Sequence, residues 1–218
     1  MYSFTRNEVR DLIIAFIVIS IAFAISSVGL DAYGFLSILP IIMIGVGIGF
    51  LLHELGHKYV AMGYGYQSEF KAWPLGLVIA LATAFIGWVF AAPGATHTYA
   101  EVITDEINGK ISIAGPMANM ALALAFIVIA ALTYPFKAHS MIFQLIYLIC
   151  TVGFSVNSFL AAFNLLPFYS LDGIKVLKWN AKIWIIIFAI AAIMLLMSIA
   201  IGAENMVKFI IDPSSNIL

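Results

Sequence analysis

Six apolar runs, each 18 to 23 residues long, place the strongest constraint on how this chain can fold. They cover residues 12–30, 35–52, 74–92, 111–132, 141–163 and 183–201. A helix needs about 20 apolar residues to cross the hydrocarbon core of a bilayer. Only 10% of the residues are charged, against about 25% in a typical soluble domain. The sequence therefore predicts an all-α polytopic membrane protein with about five to six transmembrane helices.

The first apolar run follows Arg6 and Arg10, so a cleaved signal peptide is an alternative to a retained helix. The run is 19 residues long, which exceeds the apolar region of a normal signal peptide, and we favour the retained helix. No polar stretch is long enough for a separate soluble domain, so we expect one domain over residues 1–218. No basic cluster indicates nucleic acid as a partner.

Four ionisable residues stand at the end of the second run, in the segment FLLHELGHKY at 50–59. Each such group costs about 2.5–3.5 kcal/mol near the bilayer centre, so their presence calls for a physical reason. His53, Glu54 and His57 form the pattern H-E-x-x-H, whose four-residue spacing places both imidazoles on one helix face. Two such imidazoles can bind zinc while Glu54 takes a proton from water that the metal activates. We interpret the pattern as a catalytic metal site; a buried polar cluster and a structural or transported metal are the alternatives.

A catalytic zinc site needs a third protein ligand and one open position. The metzincin pattern would place glycine three residues after His57, where Val60 stands, so that class is excluded. Asp172 lies at the end of an apolar helix, at a break marked by Pro167 and Gly173, where a carboxylate can turn inward. It is therefore the favoured third ligand. The full set considered is His97, His139, Glu69, Glu101, Asp105, Glu106, Asp172, Glu204 and Asp212.

The course of residues 74–92 decides whether Asp172 can reach the histidines. This run can cross the bilayer, or it can enter and return as a re-entrant β-hairpin, since it mixes glycine and proline with β-branched and aromatic residues. With the N-terminus inside, the re-entrant course leaves eight of the ten lysines and arginines inside, and the crossing leaves six. A crossing would also separate Asp172 from His53 by about 30 Å. Both arguments favour the hairpin, with the N-terminus and the site toward the cytoplasm.

Three segments follow one another along the chain, each tied to an apolar run: HELGH at 53–57, AGPMAN at 114–119 and FNLLPFYSLDG at 163–173. Together they resemble the site-2 protease family of intramembrane zinc metalloproteases. The segment AAPGAT at 91–96 is similar to the hairpin element that often follows the first motif in this family. The chain has no room for the PDZ or CBS domains of some members, and the matching core covers about residues 35–177.

The resemblance implies a role for six residues. The ligands of one Zn²⁺ per chain would be His53, His57 and Asp172. Glu54 would be the catalytic acid/base. Asn164 would hold the substrate backbone or the developing oxyanion, and Asn119 would help to line the same site.

These observations predict an intramembrane zinc metalloprotease that acts in regulated intramembrane proteolysis. Such an enzyme hydrolyses peptide bonds within or near the transmembrane segments of membrane proteins. We expect a multi-pass protein of the cell membrane whose partners are the lipid bilayer and transmembrane protein substrates; the sequence defines no oligomeric state. The alternative is a zinc-binding membrane transporter or sensor without proteolytic activity. Transport needs a polar pathway to the other face, and runs 12–30, 111–132 and 183–201 contain no charged residue. The same ligands would also accept cobalt or iron.

Overall fold

The computed structural model describes residues 4–90, 92–169 and 171–212, which form mainly helices and one small sheet. Five of the described helices are long and apolar enough to cross a membrane, in agreement with the predicted number; they begin at Arg6, Ala32, Asp105, Met141 and Ala181. The elements are α1 (Arg6–Val28), α2 (Ala32–Gly63), β1 (Gln67–Ala72), α3 (Pro74–Ala84), β2 (Gly94–Tyr99), α4 (Asp105–Thr133), a 3₁₀ turn (Tyr134–Phe136), α5 (Met141–Asn164), α6 (Asp172–Trp179), α7 (Ala181–Ala200) and α8 (Ala203–Ile211).

Polar side chains begin four of the long helices. Thr5, Asp31, Thr104 and Asn180 accept hydrogen bonds from backbone amides in the first turns of α1, α2, α4 and α7. These amides have no partner within their helix, and each such cap stabilises the helix by about 1 kcal/mol. The caps explain why the helices begin at the polar connections rather than within the apolar runs.

Two glycines of α2, just before the H-E-x-x-H motif, allow α5 to approach closely. A Cβ placed on Gly45 would lie 3.1 Å from Cα of Gly153, and one placed on Gly49 would lie 2.2 Å from Oδ1 of Asn157. The four-residue spacing of Gly45 and Gly49 predicts such a close approach, and the structure confirms it. The largest hydrophobic core lies between α4, α5, α7 and α8.

Residues 73–93 leave the sheet and return to it, because β1 and β2 pair antiparallel along their full lengths. Between the strands the chain forms helix α3, whereas the composition predicted extended hairpin arms; this part of the prediction is wrong. Pro74 stands at the start of α3, where its missing amide costs nothing. The 11 residues of α3 span about 17 Å, too short to cross a hydrocarbon core of about 30 Å.

A buried ion pair fixes β1 against α1 and α2. Lys58, directly after His57, places its Nζ 2.7 and 2.6 Å from the carboxylate oxygens of Glu8, and both side chains are almost fully buried. The same ammonium donates to the carbonyl of Ser68, and the amide of Phe70 donates to Glu8. Leaving either charge buried without the other destabilises a fold by about 3–5 kcal/mol, so this pair defines the position of the sheet beside the motif.

Candidate metal centre

Helix α2 and the first residue of α6 bring His53, His57 and Asp172 together. The two Nε2 atoms are 3.0 Å apart, and Oδ2 of Asp172 lies 3.3 Å from that of His53 and 3.1 Å from that of His57. All three side chains are buried, and they form a group that could hold a metal ion. Among the described residues, the other eight side chains considered for the third position lie outside this group.

The separations and the donor types fit a zinc site. Ligand atoms about 2.0–2.1 Å from a tetrahedral zinc lie about 3.3 Å from one another, and the three observed separations run from 3.0 to 3.3 Å. Two imidazole nitrogens and one carboxylate oxygen are typical of catalytic zinc sites, in which the fourth position stays free for water or substrate.

The glycine of AGPMAN keeps the space beside the two rings open. A Cβ placed on Gly115 would lie 2.4 Å from Nε2 of His57 and 2.6 Å from Nε2 of His53. The backbone of α4 therefore forms one wall of the candidate site directly. The family resemblance includes this motif, but the sequence alone predicted no role for its glycine.

The Nδ1 nitrogens of His53 and His57 also have hydrogen-bond partners. Nδ1 of His57 lies 2.8 Å from the carbonyl oxygen of Ile111, and Nδ1 of His53 lies 2.6 Å from Oδ1 of Asn119. A carbonyl oxygen only accepts, so each Nδ1 donates and each Nε2 turns its lone pair toward the group. Asn119 is fully buried behind His53 rather than on the wall of a cavity. This placement favours orientation of the ring over contact with a substrate.

Strand β2 holds Glu54. The hydroxyl of Thr96 donates to Oε2 of Glu54 at 2.7 Å and lies 3.3 Å from the backbone oxygen of the same residue. The carboxylate of Glu54 is thus kept in one orientation beside the histidines. Thr96 was not predicted as a site residue, although it is the last residue of the segment AAPGAT, which resembles the family's hairpin element.

A cavity of about 680 Å³ opens onto the group of three and onto Glu54. Strand β2 lines one side of it, and Asn164, at the end of α5, also lines it. The amide of Asn164 donates to the carbonyl of Leu160 within its own helix at 2.9 Å. Lys175 lines the cavity as well, with Nζ 3.4 Å from Oδ1 of Asp172.

The chain is similar in sequence to a protein of the archaeon Methanocaldococcus jannaschii named "Putative zinc metalloprotease MJ0611". The two are 44% identical over 190 residues, which cover 86% of this chain and 92% of that protein. The chain belongs to a family of zinc metalloproteases. The metalloprotease therefore uses Zn²⁺ as its cofactor, and the donor set of His53, His57 and Asp172 fits that ion.

Two further relatives of the metalloprotease carry similar names. "Putative zinc metalloprotease YwhC" of Bacillus subtilis is 27% identical over 157 residues, which cover 66% of this chain and 70% of that protein. "Zinc metalloprotease MJ0392" of M. jannaschii is 24% identical over 178 residues, 81% of this chain and 45% of that protein. No family model matches the chain, and no solved structure matches it.

The electrostatics of the metalloprotease site favour a charged Asp172. Burial alone disfavours the carboxylate form, but the adjacent rings of His57 and His53 outweigh it and hold the pKa of Asp172 well below its usual range. An ionised carboxylate is the form that binds a metal.

Proposed function

We propose that the metalloprotease is an intramembrane protease of the site-2 protease type, which cleaves peptide bonds within or near transmembrane segments of membrane proteins. The observation that carries this proposal is that the three donor side chains lie on, or directly after, helices that could cross a membrane. His53 and His57 lie on α2, which is itself long and apolar enough to cross a membrane, and Asp172 lies just after α5, which is another such helix. Two motifs of the resemblance, at 53–57 and 163–173, line one cavity, and the third packs against both histidine rings through Gly115.

In this proposal His53, His57 and Asp172 hold one Zn²⁺, and Glu54 is the catalytic acid/base. Bound zinc supplies Lewis acidity toward a peptide carbonyl and makes water a stronger acid. Glu54 accepts the proton of the attacking water and returns it to the leaving amine. The 2.7 Å hydrogen bond from Thr96 keeps that carboxylate in position.

Asn164 is the side chain on the cavity wall that we assign to the developing oxyanion. Its Nδ2 donates to the carbonyl of Leu160 at 2.9 Å, and a side-chain amide nitrogen has a second N–H that can donate to a substrate. In other hydrolases, removal of one hydrogen-bond donor to the oxyanion lowers the rate about 10²–10³-fold.

The free edge of β2 supports binding of an extended substrate. The amide of Trp73 donates to the carbonyl of Pro93 at 2.8 Å, next to the last pair of the sheet. Hydrogen-bonded and non-hydrogen-bonded pairs alternate along an antiparallel ladder, so every second amide of β2 points away from β1. These outward amides belong to residues that line the cavity, namely Gly94, Thr96 and Thr98.

The opposite edge of the sheet is covered by α1. The amide of Phe70 donates to Glu8 at 3.2 Å, and the amide of Ala72 donates to Asp11 at 3.1 Å. Because the edge of β1 is occupied, an added strand finds its backbone partners on β2, next to Glu54. We propose that a transmembrane substrate unwinds and pairs there, since the carbonyls of an intact helix are already hydrogen-bonded.

Removal of one outward amide tests this mode of binding. Thr98→Pro removes the amide that faces the cavity and leaves the ladder to β1 intact, as proline is tolerated on such edges. We expect cleavage of a membrane-spanning substrate to fall about tenfold at unchanged zinc content, since lost pairing costs about 1 kcal/mol or more. Thr98→Val, which keeps the amide, should cleave at nearly the wild-type rate. Equal rates for both variants would contradict strand addition.

We propose a multi-pass protein of the cell membrane with a cytoplasmic N-terminus, in which residues 74–92 re-enter and the site faces the cytoplasm. The division of lysine and arginine supports this topology, because the re-entrant course leaves eight of ten inside. The pairing of β1 with β2 also supports it, since it returns the chain to its starting point.

Metal removal tests the function itself. Wild-type protein in vesicles should contain one zinc per chain and cut a membrane-spanning model substrate. A phenanthroline chelator should abolish this cleavage and added zinc should restore it, while a non-chelating phenanthroline isomer should have no effect. Zinc uptake into the vesicles without any proteolysis would contradict the proposal and favour a transporter.

A further inference from the structure

We propose that Asn157 is a positioning residue of the metal centre, which fixes the ring of His53 through Asn119. The inference rests on the proposed role of His53 as a zinc ligand. Asn157 lies on α5 with no exposed surface, and nothing in the sequence motifs points to it. It lies one hydrogen-bonded side chain away from His53, at the point where α2, α4 and α5 meet.

The carbonyl partners of Asn157 fix the orientation of its amide. Nδ2 donates to the carbonyl of Gly45 on α2 at 3.0 Å and to that of Gly153 on α5 at 2.8 Å. Since both partners only accept, the nitrogen must face them, and Oδ1 faces the other way. Asn157 thereby presents an acceptor, and not a donor, to Asn119.

Asn119 transmits this orientation to the ring. Its Nδ2 donates to Oδ1 of Asn157 at 2.9 Å and to the carbonyl of Gly49 at 3.0 Å, so its own Oδ1 is left for Nδ1 of His53 at 2.6 Å. If the amide of Asn119 turned over, it would offer a donor to Nδ1. The proton of the neutral ring would then sit on Nε2, which could no longer bind a metal. The acceptor of Asn157 disfavours that turn.

Replacement of Asn157 by leucine removes the acceptor and keeps a side chain of similar shape. We expect Asn157→Leu to bind zinc about 10–100-fold more weakly, as loss of such outer contacts does in other zinc proteins. The measurement is competition for zinc with a chromophoric chelator on detergent-purified protein. The matched control is Ser158→Ala, which changes the neighbouring residue on α5; Oγ of Ser158 is buried and has no hydrogen-bond partner among the described residues. An unchanged zinc affinity for Asn157→Leu, or an equal loss in Ser158→Ala, would overturn the inference.

A double-mutant cycle separates positioning from general damage to the fold. If Asn157 acts through Asn119, Asn157→Leu should weaken zinc binding much less in an Asn119→Ala background than in the wild type. An equal loss in both backgrounds would overturn the inference. A failure of the proposed ligand role looks different, because His53→Ala would then bind zinc as tightly as the wild type.

The wild-type protein gives a second measurement that does not depend on any variant folding. In zinc-free protein with ¹⁵N-labelled histidine, the chemical shifts of His53 should show a proton on Nδ1, whether the ring is neutral or charged. A neutral ring with its proton on Nε2 would overturn the inference.

Discussion

Glu54→Gln is expected to retain one zinc per chain and to cleave a membrane-spanning substrate about 10²–10⁴-fold more slowly than the wild type. Glutamine has the shape of glutamate and can still accept the hydrogen bond from Thr96, so the cavity should keep its form. It cannot take up the proton of the attacking water, and the step assigned to the carboxylate is lost. Zinc content by mass spectrometry and initial cleavage rates on the same preparation measure the two effects separately.

Glu101→Gln provides the matched control for this change. Glu101 is exposed and lies in the connection between β2 and α4, outside the cavity lining. The same loss of charge there should leave both zinc content and cleavage at wild-type values. Equal cleavage by Glu54→Gln and the wild type would contradict the role of Glu54, and loss of zinc from Glu54→Gln would show instead that the carboxylate supports the metal.

Local sequence patterns predicted the parts of this structure that depend on local physics. Apolar length predicted the five long helices, because a helix satisfies its own backbone in an apolar surrounding. Helical spacing placed His53 beside His57. The break after α5, combined with the inward course predicted for two helices, placed Asp172 beside them, and the structure puts the three ligand atoms within 3.3 Å of one another.

The course of residues 74–92 shows where composition misleads. Its glycine, proline and β-branched residues favoured extended arms, but the segment LVIALATA contains alanine and leucine, which are good helix formers, directly after a proline that suits a first turn. Helix α3 forms there, and the strands lie outside it, over Gln67–Ala72 and Gly94–Tyr99.

The supporting contacts of the site were beyond sequence reasoning, because each joins residues far apart in the chain. Thr96 bonds to a residue 42 positions earlier, and Asn157 bonds to one 38 positions earlier. Lys58 looked like one of the positive charges on the cytoplasmic side, yet it is buried against Glu8. No local pattern distinguishes such pairs from exposed polar residues; only the packing of the helices decides them.

Gly115→Ala is expected to lose nearly all bound zinc, with at least about a hundredfold weaker affinity. The added Cβ would lie 2.4 Å from Nε2 of His57, far inside the contact distance of about 3.5 Å between such atoms. Helix α4 cannot easily retreat, since it packs against α2, α5 and α6. The helix itself should not suffer, because alanine favours helix over glycine by about 1 kcal/mol. Chelator competition measures the affinity, and circular dichroism measures the helix content.

Gly63→Ala separates this steric effect from the general effect of replacing a glycine. Gly63 is the last residue of α2, six positions after His57, and a Cβ there would have no atom within 4 Å. Its zinc affinity should equal that of the wild type. If Gly115→Ala bound zinc as tightly as Gly63→Ala, the space that Gly115 leaves beside the two Nε2 atoms would not be needed for zinc binding.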